Sequence, residues 1–261
     1  MFSEKAHCTY GKNQIAEVIC QLRFPEILTI GAKQPVDFQE AIRAEFPRYS
    51  VQHETPAPRI SGTPGNLHLE NQQANANYQF ITVDGNWRIN LTSRFISLTC
   101  SRYTNWTEFA QKLDAPLAAF IQTYKPAFFE RIGLRYMNFF SREDLSLVGT
   151  PYRDLFQPAY LGLLSDENVS EQSTSRSSVD AELAIPGGCR VKIHSGPGIV
   201  KRNGQTDKEV KFVLDIDLFM SGNIPVNYSA GALQTLHSQA YPIFRGAISD
   251  TLHNAMEPII D

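Results

Sequence analysis

The sequence predicts an α+β fold: two tandem β-α-β-β-β-α units that form one pseudosymmetric, mainly antiparallel sheet with helices packed on one face. Three observations carry this. The apolar run ending in Leu22-Arg23-Phe24 has a close counterpart at Leu134-Arg135-Tyr136. Each is followed by a short helical pattern, a set of strand patterns and a long apolar stripe at helical spacing that contains one proline. The strand patterns within each set are joined by short turns, which makes them meanders, and meanders build antiparallel sheets with one face covered.

The elements follow in order. Residues 15–24 read as a strand closed by Pro25. Pro35 opens a short helix whose apolar positions are Phe38, Ala41, Ile42 and Phe46, and Pro47 ends it. Residues 50–66 are rich in proline and polar residues and read as loop with a short strand. Residues 77–83 are strand-like, and Asp84-Gly85 signals a hairpin because glycine reaches positive φ cheaply. Residues 87–91 and 95–102 complete the meander. Asn105 or Thr104 then caps a helix whose stripe includes Trp106, Phe109, Leu113, Leu117, Phe120 and Tyr124, with Pro116 inside it. Each large side chain so buried contributes about 1.5–3 kcal/mol, enough together to outweigh the proline at about 3 kcal/mol.

The second unit repeats the order. Residues 131–140 are a strand, 152–164 hold a short helix interrupted near Pro158, and 165–178 are polar and expected to be mobile. Strands at 179–185 and 189–194 flank the turn Pro186-Gly187-Gly188. Residues 196–208 read as a long polar loop, and 210–220 is the strongest strand. A last helix is expected from Ser229 to about Met256, with Pro242 inside it. The units are assigned to 1–126 and 127–261. Only Lys125 and Pro126 serve as linker, so one compact body is expected.

Composition narrows the class. Of the 261 residues, 42% are hydrophobic and 20% charged, which suits a core-forming chain. The net charge of −3, from 24 basic and 27 acidic residues, supplies no long-range field for capturing a phosphate backbone. Cys8, Cys20, Cys100 and Cys189 form no CxxC pair and no zinc spacing. A reduced, cytoplasmic protein is expected, since the N-terminus lacks the layout of a signal peptide and no apolar stretch approaches the roughly 20 residues that span a bilayer.

The run Arg131-Ile132-Gly133-Leu134-Arg135-Tyr136-Met137-Asn138 is the most distinctive in the chain. With Ile15-Ala16-Glu17-Val18, Arg23-Phe24 and Leu214-Asp215-Ile216-Asp217, it resembles a sporadically distributed bacterial family of similar size, centred on a Gly-Leu-Arg-Tyr-x-Asn motif. The resemblance spans the chain. It implies a bacterial protein of patchy distribution, a pattern associated with mobile or defence-linked gene sets. The family brings no assigned biochemical function and no catalytic residues.

Several residue sets could carry chemistry. Asp215 and Asp217 share one strand face with Cα atoms roughly 6–7 Å apart. They could hold Mg²⁺ or orient water. They alternate with Phe212, Leu214, Ile216 and Leu218, so they also fit the polar side of a half-buried strand. A third reading pairs them with Arg131 and Arg135, which share a face of their own strand; this ion-pair cluster is preferred. Glu209-Val210-Lys211 has the Glu-x-Lys spacing of many metal-dependent nucleases, but without a supporting upstream aspartate. Lys201 and Arg202 lie in a Gly-rich basic stretch without phosphate-loop spacing. Arg88 and Arg94, beside Trp87, form a candidate nucleic-acid strip, against which stands an ordinary solvent-facing strand. His237 borders the apolar stripe of the last helix and reads as a structural histidine.

The function expected from these features is a non-catalytic binding or interaction protein with a protein partner and no cofactor. A metal-dependent phosphoesterase or nuclease built on Asp215, Asp217, Glu209 and Lys211 is the first alternative. A nucleic-acid-binding module using Arg88, Arg94, Lys201 and Arg202 is the second. No membrane association is expected, and a homo-oligomer is compatible with the sequence.

Overall fold

The computed structural model describes the backbone of residues 2–54, 59–63, 66–70, 75–202 and 205–260, and side chains outside 54–74, 200–205 and 260. The strands are β1 (Cys8–Tyr10), β2 (Ile15–Arg23), β3 (Arg48–Glu54), β4 (Arg59–Thr63), β5 (Asn66–Glu70), β6 (Asn75–Ile81), β7 (Trp87–Leu91), β8 (Phe95–Cys100), β9 (Phe129–Phe140), β10 (Val179–Ile185), β11 (Cys189–Arg202), β12 (Gln205–Ile224) and β13 (Pro258–Ile260). The helices are α1 (Leu28–Ala32), α2 (Val36–Ile42), α3 (Trp106–Tyr124), α4 (Tyr152–Leu155), α5 (Ser229–Ala247) and α6 (Asp250–Ala255).

Nine strands form one sheet in the order β10-β11-β12-β9-β2-β8-β7-β6-β3, and every neighbouring pair is antiparallel. Its central seam is β2 against β9, where Val18 faces Tyr136, Cys20 faces Leu134 and Leu22 faces Ile132. These six side chains are buried and, being directly opposed, point to the same side. That side carries the helices. Phe120 of α3 packs on Phe24, and Phe109 on Trp87. Phe244 of α5 stacks on Phe140. The other face of the sheet presents polar and charged side chains, as the alternation along each strand requires.

The caps follow the sequence. Asn105 accepts from the backbone N–H of Glu108 at 2.9 Å to start α3, and Lys125, at φ +48°, ends it before Pro126. Pro116 and Pro242 both lie inside their helices, as expected.

Four expectations are corrected. First, residues 50–66, read as loop with one short strand, hold most of the edge strand β3, paired with β6 along its whole length, and all of β4, while 55–58 and 64–65 lie outside the described residues. Second, the expected loop at 196–208 is largely strand, because β11 and β12 continue as one long hairpin. Pro197 is tolerated because β10 pairs with β11 only as far as Ser195, leaving an edge beyond it. Gly196 sits at φ +152°, where a Cβ would lie 2.4 Å from the carbonyl oxygen of Ser177, so only glycine fits. Third, the polar stretch 165–178 contains an anchoring point: Glu171 takes Arg142 at 2.9 Å and also accepts from the N–H of Tyr152. Fourth, the last helix breaks after Ala247. Ile248 turns extended and bridges Phe156, and Ser249 recaps the chain by accepting from the N–H of Leu252. Ser249-Asp250 was the overlooked cap signal.

Among the described residues no helix is long and apolar enough to cross a membrane. All four cysteines are free and buried.

Candidate functional site

Strand β9 carries the distinctive motif, and its alternation sends the motif to both faces of the sheet. Gly133 and Arg135 lie on the open face with Arg131. Leu134, Tyr136 and Asn138 lie on the helix side.

On the open face, Asp215 and Asp217 meet Arg131 and Arg135. Asp217 is directly opposite Arg135 in the β9–β12 register, yet Arg135 turns to Asp215, donating from Nε at 2.7 Å and from Nη2 as well. Asp217 is taken by Arg131, whose Nη2 donates to both carboxylate oxygens at 2.8 Å. Arg131 reaches it by lying along its own strand over Gly133 and against the ring of Phe219, at 4.5 Å. Hydrogen bonding to Asp215 holds the Arg135 guanidinium above its ordinary pKa. Lys192 stands opposite Asp217 and is paired with Glu182 at 3.5 Å, while His194 takes Asp180 at 2.7 Å. Each carboxylate of the cluster therefore has its own guanidinium. Among the described residues no three His, Cys, Asp or Glu side chains are placed to hold a metal ion.

The remaining predicted site residues are dispersed. Glu209 accepts from the Ser141 hydroxyl at 2.6 Å and from the N–H of Glu143, so it anchors the turn after β9. Lys211 pairs with Asp207 at 2.7 Å. Arg88 donates to Asn90 and faces Glu17 at 3.8 Å. Arg94 lies in the turn between β7 and β8 and pairs with Glu26 at 2.8 Å. Trp87 points into the core beside Phe109, on the opposite face from Arg88, so the ring and the guanidinium share no strip. The backbone of Lys201 and Arg202 belongs to β11, and their side chains lie outside the described residues.

On the helix side, Tyr136 and Asn138 help wall a cavity of about 170 Å³. The first turn of α3 contributes Trp106, with Tyr103 just before it. Helix α5 contributes His237, Ala240, Tyr241 and Phe244. Residues 7–10 and 13–15 contribute the N-terminal side, and Ile216 of β12 the floor. Among the described residues, none of the lining side chains is Asp, Glu, Lys or Arg.

The aromatic groups in this wall fix one another. The Tyr136 hydroxyl and His237 Nδ1 are 3.0 Å apart. The His237 ring stacks on Trp106 with centroids 4.4 Å apart and planes 9° from parallel. Trp106 Nε1 donates to Gln234 at 3.0 Å. Tyr103 meets Tyr136 edge-on at 5.8 Å, and Tyr10 meets Phe244 the same way. Tyr241 donates to the carbonyl of Ala6 at 2.9 Å, which holds the N-terminal segment across α5. Burial pushes His237 down to about 4, with the charge of His7 adding to the effect. Burial also pushes Tyr103 up to about 12 and Tyr136 well above the ordinary phenol value. All three are neutral at pH 7, so these walls form an aromatic chamber with a few polar atoms, the usual make-up of a small-molecule site.

No family model matches this chain, and no curated protein matches its sequence.

In the sequence the open-face charges stand out as the site and His237 reads as structural. The cavity is not legible there, because Tyr10, Trp106, Tyr136 and His237 come from four separate stretches. One signal was present. Asn138 occupies a core-facing position of β9, 1% exposed, where the alternation calls for an apolar residue.

Proposed function

We propose that this chain is a non-catalytic binding protein whose site is the aromatic cavity at the β2–β9 seam, and that it serves a bacterial cytoplasmic system of the mobile or defence-linked kind. The carrying observation is that the inner side of the motif strand, Tyr136 and Asn138, forms the wall of an aromatic chamber between α3 on one side and α5 on the other. The open face offers less: of the carboxylates that a phosphoesterase or nuclease would need, Asp215 and Asp217 are each held by an arginine, and Glu209 is taken by the Ser141 hydroxyl and the N–H of Glu143. A nucleic-acid strip at Arg88 and Arg94 draws little support from two cations already paired with Glu17 and Glu26.

We also infer that the chain is a diverged tandem duplication. Strand order β9-β12-β11-β10 on one side of the seam repeats β2-β8-β7-β6 on the other, and α3 follows β8 as α5 follows β12. The halves have diverged at the arginine: Arg23 faces Phe95 where Arg135 faces Asp217.

The test is a thermal melt with indole, a neutral ring of the right bulk. Indole at a hundred times its Kd raises the stability of the native protein by about 2.7 kcal/mol. Ala240→Phe, which fills the chamber, removes that shift while leaving a cooperative melt. If neither indole nor benzene shifts the melt of the unaltered protein, the cavity is not a binding site.

A further inference from the structure

We infer that the ligand of this cavity is a flat, neutral nitrogen heterocycle of one or two rings that carries an N–H donor, of the lactam or cyclic-amide type. The inference rests on reading the cavity as the binding site and goes on to name the chemistry it recognises.

The decisive group is Asn138. Its Nδ2 donates to the carbonyl oxygens of Leu214 at 3.0 Å and Tyr136 at 3.4 Å. Two carbonyls can be satisfied only by the amide nitrogen, so the orientation of the amide follows from the chemistry. The Oδ1 end is thereby left over, with no hydrogen-bond donor among the described residues. It belongs to a side chain that is 1% exposed and lines the cavity. An amide oxygen that faces the cavity with no protein donor is open to a ligand N–H, and such a hydrogen bond contributes about 0.5–1.5 kcal/mol.

His237 supplies the complement. The contact between Nδ1 and the Tyr136 hydroxyl runs in either direction with the tautomer; in the tautomer in which Nδ1 accepts, the proton sits on Nε2, which has no partner among the described residues. In that tautomer the wall sets an acceptor, Asn138 Oδ1, beside a donor, His237 Nε2–H. A cyclic amide presents the matching N–H and C=O on one edge.

Shape and size agree with this. The stacked Trp106–His237 pair and the edge-on Tyr103–Tyr136 pair present planar walls. Aromatic walls of that kind favour a flat ring. A volume of about 170 Å³ is slightly larger than the ~150 Å³ apolar cavity that accommodates benzene. Lining without a carboxylate or an ammonium selects against an ionic ligand, because an unpaired charge is costly to bury. The alternative for an aromatic chamber is a quaternary ammonium held on ring faces. Among the described residues no acidic side chain lines the cavity to balance a cation.

The experiment is calorimetry on the full chain with four probes: uracil, 1,3-dimethyluracil, benzene and tetramethylammonium. Uracil is expected to bind, and dimethyluracil, whose N–H groups are blocked, to bind at least about tenfold more weakly, the equivalent of one hydrogen bond of about 1.4 kcal/mol. Asn138→Leu is expected to erase the difference between uracil and dimethyluracil while benzene binding persists. The comparison of the two uracils in unaltered protein stands even if that variant fails to fold. Equal binding of uracil, dimethyluracil and benzene overturns the assigned ligand class and leaves the cavity a general apolar site. Preference for tetramethylammonium overturns the class in favour of cations. Silence from all four overturns the class and the binding reading together.

Discussion

Replacing Gly133 by alanine should destabilise the protein, although alanine ordinarily stabilises a strand relative to glycine. A Cβ at Gly133 would lie 2.2 Å from Arg131 Nη1 and 2.9 Å from its Cζ. Carbon and nitrogen need about 3.5 Å, so the guanidinium must move by more than about 1 Å. That movement forfeits the paired 2.8 Å hydrogen bonds to Asp217 and the contact with Phe219. A partly exposed ion pair contributes about 0.5–1 kcal/mol and the cation–ring contact about the same. Against this stands a gain of about 0.5–1 kcal/mol from removing glycine from a strand. The net loss is about 0.5–1 kcal/mol. The sign is diagnostic in combination. In an Arg131→Ala background nothing lies over residue 133, so Gly133→Ala should become stabilising by about 0.5–1 kcal/mol, a coupling of about 1–2 kcal/mol. Urea unfolding of the four proteins measures it. The same sign and size of effect in both backgrounds would refute the claim that this glycine exists to let Arg131 lie flat.

Two further outcomes follow from the geometry. His237 has a folded-state pKa of about 4, below the 6.5 of the unfolded chain. The unfolded state therefore binds the extra proton between those values, and stability falls as the pH drops from 6.5 to 4. The full effect is bounded by about 3 kcal/mol, and solvent at the ring edge reduces it to about 1–2 kcal/mol; His237→Gln should flatten the stability profile in that window, and an unchanged slope would contradict a desolvated ring. Asp217→Asn should cost about 0.5–1 kcal/mol by weakening the pair with Arg131, with Mg²⁺ leaving the melting temperature of both proteins unchanged; a Mg²⁺ shift abolished by the substitution would restore the metal reading.

Much of the fold could be read from periodicity, and the reasons are visible in particular residues. Strands 15–23 and 129–140 announce themselves because alternate positions are apolar and the sheet buries only one side. Pairing of Arg131 and Arg135 with Asp215 and Asp217 was legible because charges on a half-covered face need partners. Which arginine takes which carboxylate was not legible. Directly opposed residues should pair, but Gly133 opens a track that carries Arg131 along the strand to the carboxylate facing Arg135. The long hairpin of β11 and β12 was hidden by Gly196-Pro197-Gly198, residues that usually break strands and here sit on an unpaired edge. The cavity was hidden for a different reason. Its walls are contributed by residues far apart in the chain, and each one alone fits an ordinary aromatic core. Only Asn138, a buried amide in an otherwise apolar series, marked the place.

The two faces of β9 are mechanically one device. A one-residue slip of β9 against β12 would send Tyr136 and Asn138 to the open face and Arg135 into the core. The apolar residues on the inner side oppose that slip, and so do the two guanidinium–carboxylate pairs on the outer side, which bridge the same two strands. Asn138 adds a third tie, since its amide donates to the Leu214 carbonyl of β12. The Asn138 amide is thus held by a bond to the strand that the ion pairs keep in register. The arginines that read as a site in the sequence are taken up in these pairs. On the proposed reading their part is to hold still the strand whose other side does the recognising.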